Sequence, residues 1–201
     1  MNQPAFAELP RHIWLASRSP RRRELLGQLG IACQAIDIVV DETPWPNETP
    51  ESYVRRVANA KAYAGQTCVS EHHPWPVLAA DTCVVIDGTI LGKPEHAQQA
   101  RDMLQRLSGR QHLVLSAVSV LCQDTCRSAL CTSRVTFGQL SPDDIQSYIA
   151  SGEPLDKAGG YAIQGLGARF VRHLEGSYSG VMGLPLFETA ELLSVCHHQD
   201  D

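Results

Sequence analysis

The densest group of chemically useful side chains in this 201-residue chain runs from Ser17 to Arg23: Ser-Arg-Ser-Pro-Arg-Arg-Arg. It holds two hydroxyls, four arginines and a proline suited to a first helical turn. An apolar run before it, Ile13 to Ala16, reads as a short buried strand. Leu25, Leu26 and Leu29 after it read as a helix that stops at Gly30. A strand that turns into a helix start points free backbone N–H groups and the positive end of the helix dipole outward. That geometry suits phosphate, and arginine adds permanently charged, bidentate donors. An ordinary capped surface helix with a basic first turn is the plain alternative. Crowding four cations at a positive helix end is costly unless an anion is expected there.

Other candidates lie further along. Asp81 interrupts an apolar run, Val77 to Ile86, and an unpaired carboxylate is expensive to bury. It is therefore salt-bridged, bound to a cation, or at an active site. Lys61 falls near the buried side of a helical pattern, where a lysine with its stem packed and its head in water is the plain reading. Lys93 sits in a Gly92-Lys93-Pro94 loop from which a side chain could reach a phosphate. Asp156, Lys157 and Gln164 lie in a glycine-dense stretch, residues 152–167, where the backbone can approach a ligand closely. Glu42 ends an apolar run at Asp41-Glu42-Thr43. Cations fitted to phosphates and carboxylates fitted to a hard divalent metal together point to phosphoanhydride chemistry, with Mg2+ or Mn2+ and a carboxylate base activating water.

The elements that must position these groups follow from periodicity and turn chemistry. Ala35 to Val40 reads as a second strand, followed by a loop enforced by Pro44, Pro46 and Pro50. A helix starts near Thr49 to Ser52 and carries Tyr53, Val54, Val57, Ala60 and Ala64 at helical spacing. Val77 to Ala80 reads as a strand ending at Asp81-Thr82, and Asp87-Gly88 is a hairpin turn signal. Ala97 to Leu107 is an amphipathic helix. His112 to Leu121 and Ser128 to Phe137 form an antiparallel pair joined near Gln123 and Asp124. Ser141-Pro142-Asp143-Asp144 opens another helix. Phe170 to Leu174 reads as a strand, Gly176 to Gly183 as a loop, and Pro185 to Leu193 as a closing helix. Strand ends are where α/β sheets place ligands.

Composition narrows the classes. Hydrophobic content of 43% and charged content of 19% are those of a chain able to bury a core. A net charge of −5 argues against a nonspecific nucleic-acid binder, since the cations are concentrated locally instead of spread over a face. The cysteines, 7 in all, form no CxxC pair, so reduced, buried thiols are expected and no zinc site. His72-His73 and His197-His198 read as solvated. No signal-peptide pattern and no apolar run long enough for a membrane span is present. The expectation is a soluble, cytoplasmic protein with a single domain over residues 12–193 and flexible ends at 1–11 and 194–201.

Taken in order, the motifs resemble one family closely. Leu15-Ala16-Ser17-Arg18-Ser19-Pro20-Arg21-Arg22 with Glu24-Leu25-Leu26 is similar to the opening signature of the Maf nucleoside triphosphate pyrophosphatases. Asp41-Glu42-Thr43, Lys61-Ala62, Ala80-Asp81-Thr82, Gly92-Lys93-Pro94, Asp156 to Tyr161, Ile163-Gln164-Gly165 and Val181 to Pro185 follow in the family's order. The resemblance implies an elongated α/β fold, a mixed twisted sheet flanked by helices, with a cleft between two lobes. It implies cleavage between the α and β phosphates with a divalent cation. Asp81 would be the proton acceptor for the attacking water. Ser17, Arg21, Arg22, Lys61, Lys93 and Lys157 would hold the triphosphate, and Glu42 and Asp81 would serve the metal, directly or through water. Arg21, Thr82 and Gln164 resemble the branch that cleaves dTTP and UTP, and modified pyrimidine nucleotides would fit the same site. A glutamine amide can pair with both the N3–H and a carbonyl of uracil or thymine. Arg18, where the family often has a small residue, departs from the pattern. A nucleotide-binding regulator of cell division without turnover is the competing reading, and apolar positions on the paired strands would permit a homodimer.

Overall fold

The computed structural model describes residues 8–69 and 74–197, so His72-His73, His198 and both extreme ends lie outside the described residues. The side chain of His197 is likewise outside them. A seven-stranded sheet organises the chain in the order β2-β1-β3-β5-β6-β7, with β4 paired to β3. Its strands are β1 (His12–Leu15), β2 (Ala32–Ala35), β3 (Val77–Ile86), β4 (Thr89–Leu91), β5 (Gln111–Cys122), β6 (Thr125–Phe137) and β7 (Val171–Glu175). β1 runs parallel to β2 and β3, and the remaining pairs are antiparallel, so the sheet is mixed.

Helices cover both faces. α1 (Pro20–Gln28), α3 (Ala97–Leu107), α4 (Pro142–Ala150), α5 (Tyr178–Met182) and α6 (Leu186–His197) join α2 (Pro50–Gln66) around the sheet. Alternation along β3 assigns the faces, because successive side chains of a strand point to opposite sides. Leu78, Ala80, Val84 and Ile86 pack with side chains of α1, α3 and α6, whereas Cys83 and Val85 pack with Tyr53, Val54, Val57 and Ala58 of α2. Asp81 therefore shares the α2 face and Thr82 the opposite one.

Strand β3 has one complete edge and one broken edge. β5 pairs with it from Val77 to Val85. On the other edge β1 meets only Val77 and Leu78, and β4 meets only Val84 to Ile86. Ala79 to Cys83 consequently have no strand beside them on that edge, and Asp81 sits in the middle of the gap.

Several expectations are revised. The apolar run 77–86 is one continuous strand through Asp81, because β5 pairs with it without a break from Val77 to Val85. The second strand is Ala32–Ala35 instead of Ala35 to Val40. Its register on β1 ends at Leu15↔Ala35, and beyond that no strand remains to pair with. Ile36 and Ile38 then pack against a small core around Trp14, Ala16 and Ala62, while Val39 is 88% exposed. The stretch Gly176 to Gly183 contains α5, capped by the Ser177 hydroxyl accepting from Gly180 N–H. Not all thiols are reduced: Cys122 and Cys196 form a disulfide across 74 residues, with Cα atoms 5.9 Å apart. The pairing arises from α6 lying over the end of β5, which no local cysteine spacing announces. Five cysteines remain free among the described residues. Among those residues no helix is long and apolar enough to cross a membrane.

The hairpin signal and the capped helices stand as expected. Asp87 and Gly88 take positive φ values of 51° and 69° at the β3–β4 turn, which matches the twist of the flanking strands. Ser141 and Asp144 form a reciprocal capping box at α4.

Gly65 sets how closely α2 approaches the sheet. A Cβ there would lie 2.9 Å from Ala16 Cβ and 2.9 Å from Val77 Cγ1. Gly65→Ala gains about 1 kcal/mol of helix propensity but overpacks the interface by about 1–3 kcal/mol. The expected result is a net loss of stability, read as a lower denaturation midpoint at unchanged m-value; a gain would show that α2 can lift without cost.

Candidate active site

The gap in β3 opens into a cleft of about 1250 Å³. Its walls come from the β1–α1 turn, the segment 38–44, α2, β3, the β4–α3 loop, the glycine-rich stretch and the end of α5. Ser17, Arg21, Arg22, Glu42, Lys61, Asp81, Thr82, Lys93, Asp156, Lys157 and Gln164 all line it, so the structure brings every residue singled out in the sequence to one place. Six cationic side chains face four carboxylates there, on a chain whose net charge is −5. That local excess favours an anion.

Lys61 is the centre of the arrangement. It is 8% exposed, and its Nζ donates to Asp81 Oδ1 at 2.8 Å and pairs with Glu42 Oε1 at 2.7 Å. The plain alternative of a head in water does not hold, because the α2 face that carries Lys61 is pressed on the strand that carries Asp81. An ammonium has three N–H groups, so one remains for another ligand.

The two carboxylates are driven in opposite directions. Burial pushes the Asp81 carboxyl above its ordinary pKa, outweighing the pull of Lys61 and Arg22. For Glu42, burial also pushes up, but the hydrogen bond and charge of Lys61, with Lys93 and Arg22, hold it below the usual carboxylate range. Such separation suits the two carboxylates to different chemistry, one more ready to accept a proton and the other held ionised.

The arginine side of the cleft is preset. Arg22 Nε donates to Gly183 O at 2.8 Å and Nη1 donates to Ser17 Oγ at 3.0 Å. Burial draws the guanidinium pKa down against the opposing pull of Asp81. Ser17 Oγ also accepts from Ser19 N–H at 3.2 Å, so its own proton is available to a ligand. Lys157 contacts Asp156. Arg21, Lys93 and Gln164 line the cleft without a hydrogen-bonding partner among the described residues. Arg18, the departure from the family pattern, contacts Asp37, and that ion pair is largely exposed.

Two features escaped the sequence reading. The Gly183 carbonyl that locks Arg22 is backbone and has no signature of its own. Ser116 Oγ donates to Gly180 O at 2.6 Å and lies 2.8 Å from Thr82 Oγ1. With the Ser116 proton committed to a carbonyl, Thr82 must be the donor between the two hydroxyls, and it offers only lone pairs to the cleft. A signal for Ser116 existed: a hydroxyl in an apolar strand run must find a partner.

A divalent cation is compatible with this donor set. Glu42 and Asp81 converge on one Nζ, and their oxygens suit a hard ion. Among the described residues no group of three or more His, Cys, Asp or Glu forms a cage. A cation here would complete its shell with water and phosphate oxygens, as Mg2+ does in nucleotide sites.

The chain is similar to several known proteins. The chain is 56% identical over 179 residues to a dTTP/UTP pyrophosphatase of Methylococcus capsulatus, covering 89% of this chain and 88% of that protein. It is 52% identical over 181 residues to a dTTP/UTP pyrophosphatase of Pseudoalteromonas atlantica, covering 90% and 94%. Among solved structures it resembles the Staphylococcus aureus Ham1 protein, with a TM-score of 0.49 and 13% identity over 94% of this chain and 100% of that one. The model of the family described as Maf-like protein matches residues 12–196, a span that takes in every residue lining the cleft, and the chain belongs to that family.

Proposed function

We propose that this cleft hydrolyses dTTP and UTP to the nucleoside monophosphate and pyrophosphate. The observation that carries the reading is Asp81, a buried carboxylate of raised basicity in a sheet gap ringed by cations. The names of the relatives support the pyrimidine substrates.

In this reading Arg21, Arg22, Lys93, Lys157 and the Ser17 hydroxyl bind and orient the triphosphate. Arg22 arrives already oriented by Gly183 and Ser17, so little order is lost on binding. Asp81 accepts the proton of the attacking water, and the loss of that proton is eased by its raised pKa. Lys61 keeps Asp81 in place and, with its third N–H, meets charge developing on the phosphate. Glu42, ionised, would hold a Mg2+ or Mn2+ ion together with Asp81, directly or through water. Such an ion supplies Lewis-acid stabilisation of the phosphate charge. Gln164 reads the pyrimidine edge with its amide, and Thr82 presents an acceptor.

Three outcomes test this. Asp81→Asn should lower pyrophosphate release from UTP and dTTP by about 10²- to 10⁴-fold while nucleotide binding survives. Binding by pure wild type without metal-dependent turnover would instead favour the regulator. The acid limb of kcat/KM should lie above that of an ordinary aspartate, because the base must be ionised and its pKa is raised by burial. Activity is then lost as pH falls through that pKa, and an acid limb that survives unchanged in Asp81→Asn would exclude Asp81 as the base. Gln164→Glu should selectively weaken UTP and dTTP cleavage; an equal loss on all nucleotides contradicts base reading.

A further inference from the structure

The stretch that carries Gln164 has an anchor of its own. Glu153 follows α4 and opens a short 3-10 turn, Glu153–Asp156. Its Oε1 accepts from Tyr148 Oη at 2.7 Å and from Gly167 N–H at 3.0 Å, and its Oε2 accepts from Leu166 N–H at 2.9 Å. Tyr148 Oη in turn accepts from Ala162 N–H at 3.1 Å. Three backbone amides that bracket Gln164 on both sides thus end on one carboxylate and one phenol.

The glycines fit this latch. A Cβ on Gly165 would collide with the Glu153 carboxylate, and one on Gly167 would lie 2.7 Å from Tyr148 Oη and 2.9 Å from Ala162 O. The latch itself rests on rigid structure. Tyr148 is a buried α4 residue, edge-on to Phe170 with ring centroids 5.0 Å apart. Burial and the Glu153 charge keep its proton on, while the hydrogen bonds from Tyr148, Leu166 and Gly167 outweigh burial and keep Glu153 ionised. The polarity of every bond in the network is therefore constant near neutral pH.

We propose that Glu153, acting with Tyr148, is the positioning residue for base recognition: it freezes the 162–167 stretch so that Gln164 meets a uracil or thymine ring ready oriented. The inference rests on the pyrimidine pyrophosphatase reading. A glycine-rich loop left free would have to be ordered by each substrate, which weakens binding, whereas a loop fixed beforehand does not. Glu153 hydrogen-bonds none of Asp81, Lys61 or Arg22. Its contribution falls on binding and discrimination, not on the reacting atoms.

The test uses Glu153→Gln and Tyr148→Phe in the full chain, with steady-state kinetics on UTP, dTTP and ATP in the presence of Mg2+. Glu153→Gln keeps the size of the side chain but replaces one acceptor oxygen by an amide that cannot accept from a backbone N–H. KM for UTP and dTTP should rise about fivefold to tenfold, well beyond any fall in kcat, and KM for ATP should move least. The preference for pyrimidines then contracts. Tyr148→Phe, which removes one arm, should shift the same quantities in the same direction by less. Unchanged KM and preference in both variants would overturn the proposal. So would an equal fall of kcat on all three nucleotides, the mark of a merely structural role. If the wild type binds UTP but turns over no nucleotide, the functional reading fails by itself. The ratio of UTP to ATP affinity at equilibrium, compared between wild type and Glu153→Gln, then decides the role of Glu153.

Discussion

A carboxylate in the middle of a buried strand is tolerable only with a partner, and Lys61 is that partner. Its 2.8 Å bond to Asp81 joins α2 to β3 at the point where the sheet edge is open. Removing one member of a buried ion pair costs on the order of 3–5 kcal/mol, because the other charge is left uncompensated. The pair is weak evidence for stability in its own right. What it accomplishes is placement: it keeps an ionisable oxygen in a desolvated gap, and Glu42 on the same Nζ makes the cluster net negative. A net negative cluster beside Arg22, Lys93 and Lys157 is suited to a cation on one side and to phosphate on the other.

The gap depends on strands that are too short to fill it. β1 stops at Leu15, β4 begins its pairing at Val84, and neither meets Ala79 to Cys83. Because β1 stops, the chain turns at Ser17 into α1, and its arginines face the same opening. Because β2 stops with it, the segment 36–43 leaves the sheet and delivers Glu42 to Lys61. One shortened strand pair thus explains the cleft, its cationic rim and its second carboxylate. The far wall is fixed independently, by the Gly183 carbonyl on Arg22 and by the network of Tyr148 and Glu153 beneath the loop of Gln164.

Much of this was legible in the sequence, and what was missed has a physical cause. The chemistry-bearing residues could be named because their types are costly in their contexts: an aspartate inside an apolar run, arginines at a helix start, lysine and glutamine among glycines. The helices announced themselves through caps and 3.6-residue spacing, as at Thr49 and Ser141. The second strand was misread because Ala35 to Val40 has the apolar content of a strand, and only the end of β1 decides that it has nothing to pair with. The disulfide between Cys122 and Cys196 was missed for the same kind of reason, since α6 is carried over β5 by contacts distant in sequence.

What the sequence determined by itself was the inventory: which groups could bind phosphate, which could take a proton, and which local segments are helical or turned. Those follow from side-chain chemistry and from bonds closed within a few residues. The tertiary structure alone decided that Lys61 is shared by Glu42 and Asp81, that Ser116 takes the Thr82 proton and leaves only lone pairs for the cleft, and that Glu153 grips the loop of Gln164. Each of those joins partners from separate elements of the chain, and a hydrogen bond is specified by where two atoms meet, not by what lies beside either of them in the chain.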